Sequence, residues 1–116
     1  MPDAPTRFQL SRAKGWRMPP GGLSVARPTR WGNRWRAEVV QGVGWCCTDT
    51  STGLIVQARD ATDAHALAVS HFRAWLPSQP DLVAAARRDL RGRHLGCWCG
   101  LRMPCHGNVW IEVANG

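Results

Sequence analysis

At 116 residues the chain has room for one domain with a modest core. Its net charge of +7 favours an anionic partner, and no apolar run approaches the roughly 18 residues of a membrane span. Five cysteines, an odd count, accompany an N-terminus (MPDAPTRFQLSRAKGWR) without a secretory apolar region. They are therefore expected as reduced thiols of a cytoplasmic protein, not as a disulfide framework.

Residues 1–8 are expected as a disordered tail, with a short alternating strand over RFQLS from Arg7. Pro19-Pro20-Gly21-Gly22 breaks the chain before a second strand, LSVA, which Pro28 ends. RPTRWGNRW reads as a loop, and a strand begins near Arg36. From Ala4 to Ala37 there is no acidic residue, while Arg7, Arg12, Lys14, Arg17, Arg27, Arg30, Arg34 and Arg36 interleave with Trp16, Trp31 and Trp35. Arginine with tryptophan suits phosphates and stacked bases; the plainer reading is a solvated basic face in an arginine-rich chain. Gly44–Asp49 and Leu54–Ala58 flank TSTG as a β-hairpin with Gly53 in the turn.

The period then changes. In DATDAHALAVSHFRAWL, Ala64, Leu67, Ala68, His71, Phe72, Trp75 and Leu76 form one helical stripe, with Asp60 or Thr62 as cap. His65 and His71 on this helix read as partly buried or surface residues. Pro77 stops the helix, and SQPD resembles a capping box with proline in the first turn of a second helix. Arg87, Arg88 and Arg91 suit its C-terminal dipole, and Gly92 its end. HLGCWC reads as a short buried strand, and CHGNVWIEVANG as a final helix begun by a Pro-Cys-His turn. Strands, then helices, then a strand and a helix predict a single small α/β or α+β domain over 1–116, with a short mixed sheet, a hairpin and two to three packed helices.

The chemistry concentrates in GCWCGLRMPCHG, residues 96–107. On a strand, Cys97 and Cys99 present their thiols on one side, with Trp98 on the other. A helix starting at Cys105–His106 would turn its free N–H groups to the same crevice, beyond the strand's carboxyl end. Three readings stay open. Cys97, Cys99, Cys105 and His106 form a nominal Cys3His zinc set, at a spacing unlike common zinc ribbons. Cys105, at a helix start beside His106 and near Arg102, has the surroundings of an activated thiol, with His106 as acid or base and Cys99 beside it. Buried cysteine as a plain core residue is the third reading, and the main one for Cys46 and Cys47.

RPTRWGN (27–33), FRAWL (72–76), LRGRHLGCWC (90–99) and PCHGNV (104–109), with QLSRAKGWRMPP (9–20), resemble the family called domain of unknown function 4326, small proteins of bacteria and phages. The resemblance spans most of the chain, from about Gln9 to Asn115. Arg34 stands where that family's Trp-Gly-Asn step is followed by proline, and 36–60 carries the least of the pattern. The Cys-His tail is also similar to a second uncharacterised family, numbered 488. The resemblance implies that Arg27, Arg30, Trp31, Gly32, Asn33, Cys97, Cys99, Cys105, His106 and Gly107 form one site. It implies no reaction.

Read by itself, RPTRWGN offers forked donors on Arg27 and Arg30, a stacking face on Trp31, backbone approach at Gly32 and a base-edge or ribose partner in Asn33. Those are parts of a nucleotide pocket; the alternative is a Gly-Asn turn with Trp31 in the core and the arginines in solvent. The expected function is a small nucleotide- or nucleic-acid-directed enzyme, performing group transfer or hydrolysis at a nucleoside through a Cys-His site. The alternative is a basic, non-enzymatic nucleic-acid-binding or host-protein-binding phage protein, zinc-stabilised or not, that works in the host cytoplasm.

Overall fold

The structure is a computed structural model that describes residues 4–116. Residues 1–3 of the expected tail lie outside the described residues, and Arg7 and Phe8 already belong to a strand. In chain order the elements are β1 (Arg7–Gln9), β2 (Gly22–Ser24), β3 (Trp35–Val40), β4 (Gly44–Asp49), β5 (Ile55–Gln57), α1 (Ala61–Trp75), α2 (Pro80–Asp89), β6 (His94–Cys97) and α3 (His106–Asn115). The molecule is a mixed α/β fold with two three-stranded sheets, not one short mixed sheet, because β3, β4 and β5 pair only with one another.

The first sheet is parallel, in the order β1-β6-β2. A central parallel strand is covered on both faces, which explains the unbroken apolar run at Leu95–Cys97. Gly96 serves packing: a Cβ there would run into the Phe8 ring and approach Leu10 Cδ2 to 3.1 Å. The second sheet is antiparallel, β3-β4-β5. Its expected hairpin turns at Gly53, whose φ of +80° is costly for other residues. Arg34 clamps the end of β4 with two bonds to Asp49 (3.2 and 2.8 Å), holding that carboxyl well below the usual range.

Asp60 caps α1 by accepting from Asp63 N at 2.8 Å, and Ala64, Ala68 and Phe72 are its buried stripe. The capping box read in SQPD does not form. Pro77 instead lies in a 3-10 turn, Leu76–Ser78, where Ser78 Oγ donates to Trp75 O (2.6 Å). α2 then starts at Pro80 without a side-chain cap. Arg87 and Arg91 donate to the carbonyls of Val113 and Ala114, so arginines near the end of α2 fasten the last turn of α3.

The core is aromatic. Phe72 meets Trp110 and His106 edge-on, each at 5.3 Å between centroids, and Trp110 meets Trp31 edge-on at 5.4 Å. Trp110 Nε1 donates to Trp31 O (2.8 Å), so its one polar group is satisfied inside. The cysteine segment is built against this core, since Cys97 and Cys105 belong to it.

Phe72→Ala is expected to cost about 3–5 kcal/mol in urea unfolding, whereas Val39→Ala, on the outer face of β3, stays within about 0.5 kcal/mol. Equal losses would contradict this placement of the core.

Candidate functional site

The site forms where β6 ends and α3 begins. Cys97 is the last residue of β6; Cys99 lies two residues on; Cys105 is the N-cap of α3 with extended backbone. The intervening loop is held from outside. Arg7 donates to the carbonyls of Cys99 (2.9 Å) and Gly100 (2.8 Å), and Thr62 Oγ1 reaches Met103 Sδ at 3.8 Å. With the loop fixed, the three Sγ atoms lie within 4.8 Å of one another, Cys97 and Cys99 at 3.8 Å. All three thiols are free. A sulfur is an unusual helix cap, and here Cys105 Sγ accepts from Gly107 N at 3.4 Å.

His106 lies beside the cluster. Its Nε2 lies 2.8 Å from Val25 O, and a carbonyl only accepts, so Nε2 carries the hydrogen. In the neutral ring Nδ1 is then a bare lone pair, 3.9 Å from Cys105 Sγ. An imidazole held on a backbone carbonyl by one nitrogen, with the other free, is how metal-binding histidines are oriented. The three nearby cysteines could hold a metal ion; His106 Nδ1 lies beside Cys105, outside that three-sulfur group.

The thiols do not share charge equally. Hydrogen bonds from Cys105 and Cys99 push Cys97 far below the ordinary thiol range. Cys105 is pushed far up because it donates to Cys97 and Cys99 in a buried place. Cys99 receives help from Cys105, but its bond to Cys97 and its burial outweigh this and raise it. A cation bound among them would favour the deprotonated form of all three.

A cavity of about 160 Å³ opens over the cluster, bounded by Cys97, Cys99, Cys105 and His106 together with Arg27, Asn33, Trp35, Arg36, His65 and Trp98. Arg27 is exposed overall, but its guanidinium donates to Asn33 O (2.7 Å); partial burial there, then the charge of Arg36, lower its pKa. Neither Arg27 nor Arg36 makes an ion pair among the described residues. Burial lowers the pKa of His65, against an opposing pull from Cys97.

The sequence-predicted set divides. Cys97, Cys99, Cys105, His106, Arg27 and Asn33 all line the cavity; Arg30, Trp31, Gly32 and Gly107 do not. Asn33 is 5 % exposed, and its Nδ2 donates to Ala68 O while its Oδ1 accepts from Trp35 N. These two bonds brace α1 against the loop. Trp31 is a core residue packed on Trp110, so its face is closed to a ligand. Gly32 makes room for Arg27, which a Cβ would meet at 2.8 Å, and Gly107 makes room for Arg7, at 3.1 Å. Arg30 is exposed over Trp31. His94 is occupied elsewhere, its Nδ1 accepting from Thr6 N.

A family model described as a domain of unknown function (DUF4326) matches residues 8–116. The chain belongs to that family. No curated protein and no solved structure matches it. The stretch that matches the DUF4326 model includes the whole cluster and every cavity residue named above.

Arg7, Arg36, His65 and Trp98 were not singled out from the sequence as site residues. For Trp98 a signal existed: it stands between two cysteines of the cluster. For His65 the helical period gave it too, because His65, Ala68 and Val69 at i, i+3 and i+4 all line the cavity.

Asn33→Ala strands Trp35 N and removes the bond to α1 at Ala68 O, and is expected to lose about 1–3 kcal/mol of stability. Arg30→Ala should change little. Denaturant titration of both variants checks this; a silent Asn33→Ala would mean that the side chain is free to bind a ligand after all.

Proposed function

We propose that this protein is a small enzyme acting on a nucleotide or nucleoside by group transfer or hydrolysis, in a pocket built over a zinc–thiolate centre. The observation that carries this reading is the cavity itself: a cysteine-histidine cluster at its floor and two unpaired arginines at its wall. Cys97, Cys99, Cys105 and His106 would hold the ion, a donor set suited to zinc. When bound, the zinc would neutralise the crowded thiolates and fix the end of β6 to the start of α3.

In this reading Cys105 and His106 are ligands, not a free nucleophile and base. Arg27 and Arg36 bind the anionic part of the substrate, in place of the Arg27–Arg30 pair expected from the sequence. His65, kept neutral by burial, is placed to carry a proton at the cavity wall. Trp35, stacked on His71 at 5.6 Å, forms a fixed apolar wall.

A second reading is favoured by one observation. The cluster also holds the fold together, since Cys105 caps α3 and His106 ties it to Val25. A basic binder of nucleic acid or of a host protein, with zinc as a staple, would have the same parts.

The test is zinc-loaded protein incubated with a panel of nucleosides and nucleoside monophosphates, with products followed by chromatography. Turnover is expected, reduced about 10²-fold or more in His65→Ala while one zinc per chain persists by native mass spectrometry. Nucleotide binding without turnover would leave the binder; no nucleotide binding at all would overturn the pocket reading.

A further inference from the structure

Trp98 stands between Cys97 and Cys99 and lines the cavity, yet 42 % of its surface is exposed. An indole this open stands between two cysteines of the site. Arg12 lies over it, guanidinium carbon 4.3 Å from the ring centroid, and Gln9 Nε2 reaches Trp98 O at 3.5 Å. The chain beyond β1 therefore runs along the outside of the cysteine loop. It continues through exposed Arg12, Lys14, Trp16 and Arg17, with Trp16 tilted against Phe8 at 6.4 Å. No acidic residue interrupts the chain from Ala4 to Ala37.

The cavity is small. About 160 Å³ is well under the roughly 300–1,000 Å³ of pockets that enclose a whole organic ligand. A ligand anchored by one group over the cysteines must continue outside, across the rim where Trp98 and Arg12 lie. Exposed indole with stacked guanidinium, followed by further cations and a second exposed indole, is suited to unpaired bases on a phosphate chain. A duplex keeps its bases stacked inside and offers the indole no face.

We infer that the ligand of this site is single-stranded nucleic acid: one group of a nucleotide is anchored in the cavity over the cysteines, a neighbouring base stacks at Trp98, and the phosphates run along Arg12, Lys14 and Arg17. This rests on the pocket reading above and names the substrate class.

The experiment uses the full-length protein and fluorescein-labelled dT12 and rU12, followed by anisotropy, with unlabelled mononucleotide and a 12-base-pair duplex as competitors. The single strand is expected to bind far more tightly than either competitor. Trp98→Ala should weaken it about 10- to 100-fold, Trp98→Phe should restore most of that, and Arg12→Ala should flatten the salt dependence. Arg88→Ala, on α2 and paired to Asp89, should leave binding unchanged. Far-ultraviolet circular dichroism confirms that each variant is folded. If mononucleotide binds or turns over but dT12 and rU12 bind no better, the strand inference falls and the pocket reading stands. Duplex binding equal to single-strand binding, or an unaffected Trp98→Ala, also overturns it. If neither mononucleotide nor strand binds, both readings fall together.

Discussion

Three sulfur atoms within 4.8 Å of one another, two of them buried, set the terms for the rest of the molecule. Thiols can crowd this way while protonated, but thiolates cannot unless a positive charge answers them. The chain invests heavily in bringing them together. Gly96 lets β6 pack on Phe8, Gly107 lets Arg7 pass, and Arg7 grips two carbonyls of the loop between Cys97 and Cys105. A core that only needed small apolar side chains would not require these approaches. The three cysteines brought together in this way could hold a metal ion.

The same construction places the cavity. β6 ends at Cys97, so the ends of the parallel strands open toward the start of α3, where open α/β sheets bind ligands. Val25, one residue past β2, fixes His106; Asn33 braces the loop before β3 to α1. Each sheet thus supplies one wall: cysteines from the parallel sheet, Trp35 and Arg36 from the antiparallel one. Arg27 and Arg36, without carboxylate partners among the described residues, make that wall positive.

How far this was legible in the chain differs by residue. The closeness of Cys97, Cys99 and Cys105 was expected from their spacing, although β6 ends at Cys97 and Cys99 joins from the loop beyond it, not by strand period; that Cys105 starts a helix after Pro104 is a local fact. The family resemblance, from RPTRWGN to PCHGNV, was also readable directly. The role of RPTRWGN was not. Trp31 turns inward because Trp110, 79 residues later, bonds its carbonyl, and Asn33 is tied to Ala68 on α1. Nothing local distinguishes such a tryptophan from a stacking platform, or such an asparagine from a base reader. The exposed indole beside the cluster is instead Trp98, hidden in a run that reads as a buried strand but stops at Cys97. The separation into two sheets was equally out of reach, because strand pairing is decided between distant segments.

X-ray absorption at the zinc edge bears most directly on the metal centre, using the full-length protein after loading with one equivalent of zinc and removal of the excess. One retained ion is expected, with three sulfur neighbours near about 2.3 Å and one nitrogen near about 2.0–2.1 Å. A protein that retains no zinc, or zinc surrounded only by oxygen and nitrogen, would contradict a metal centre at this cluster.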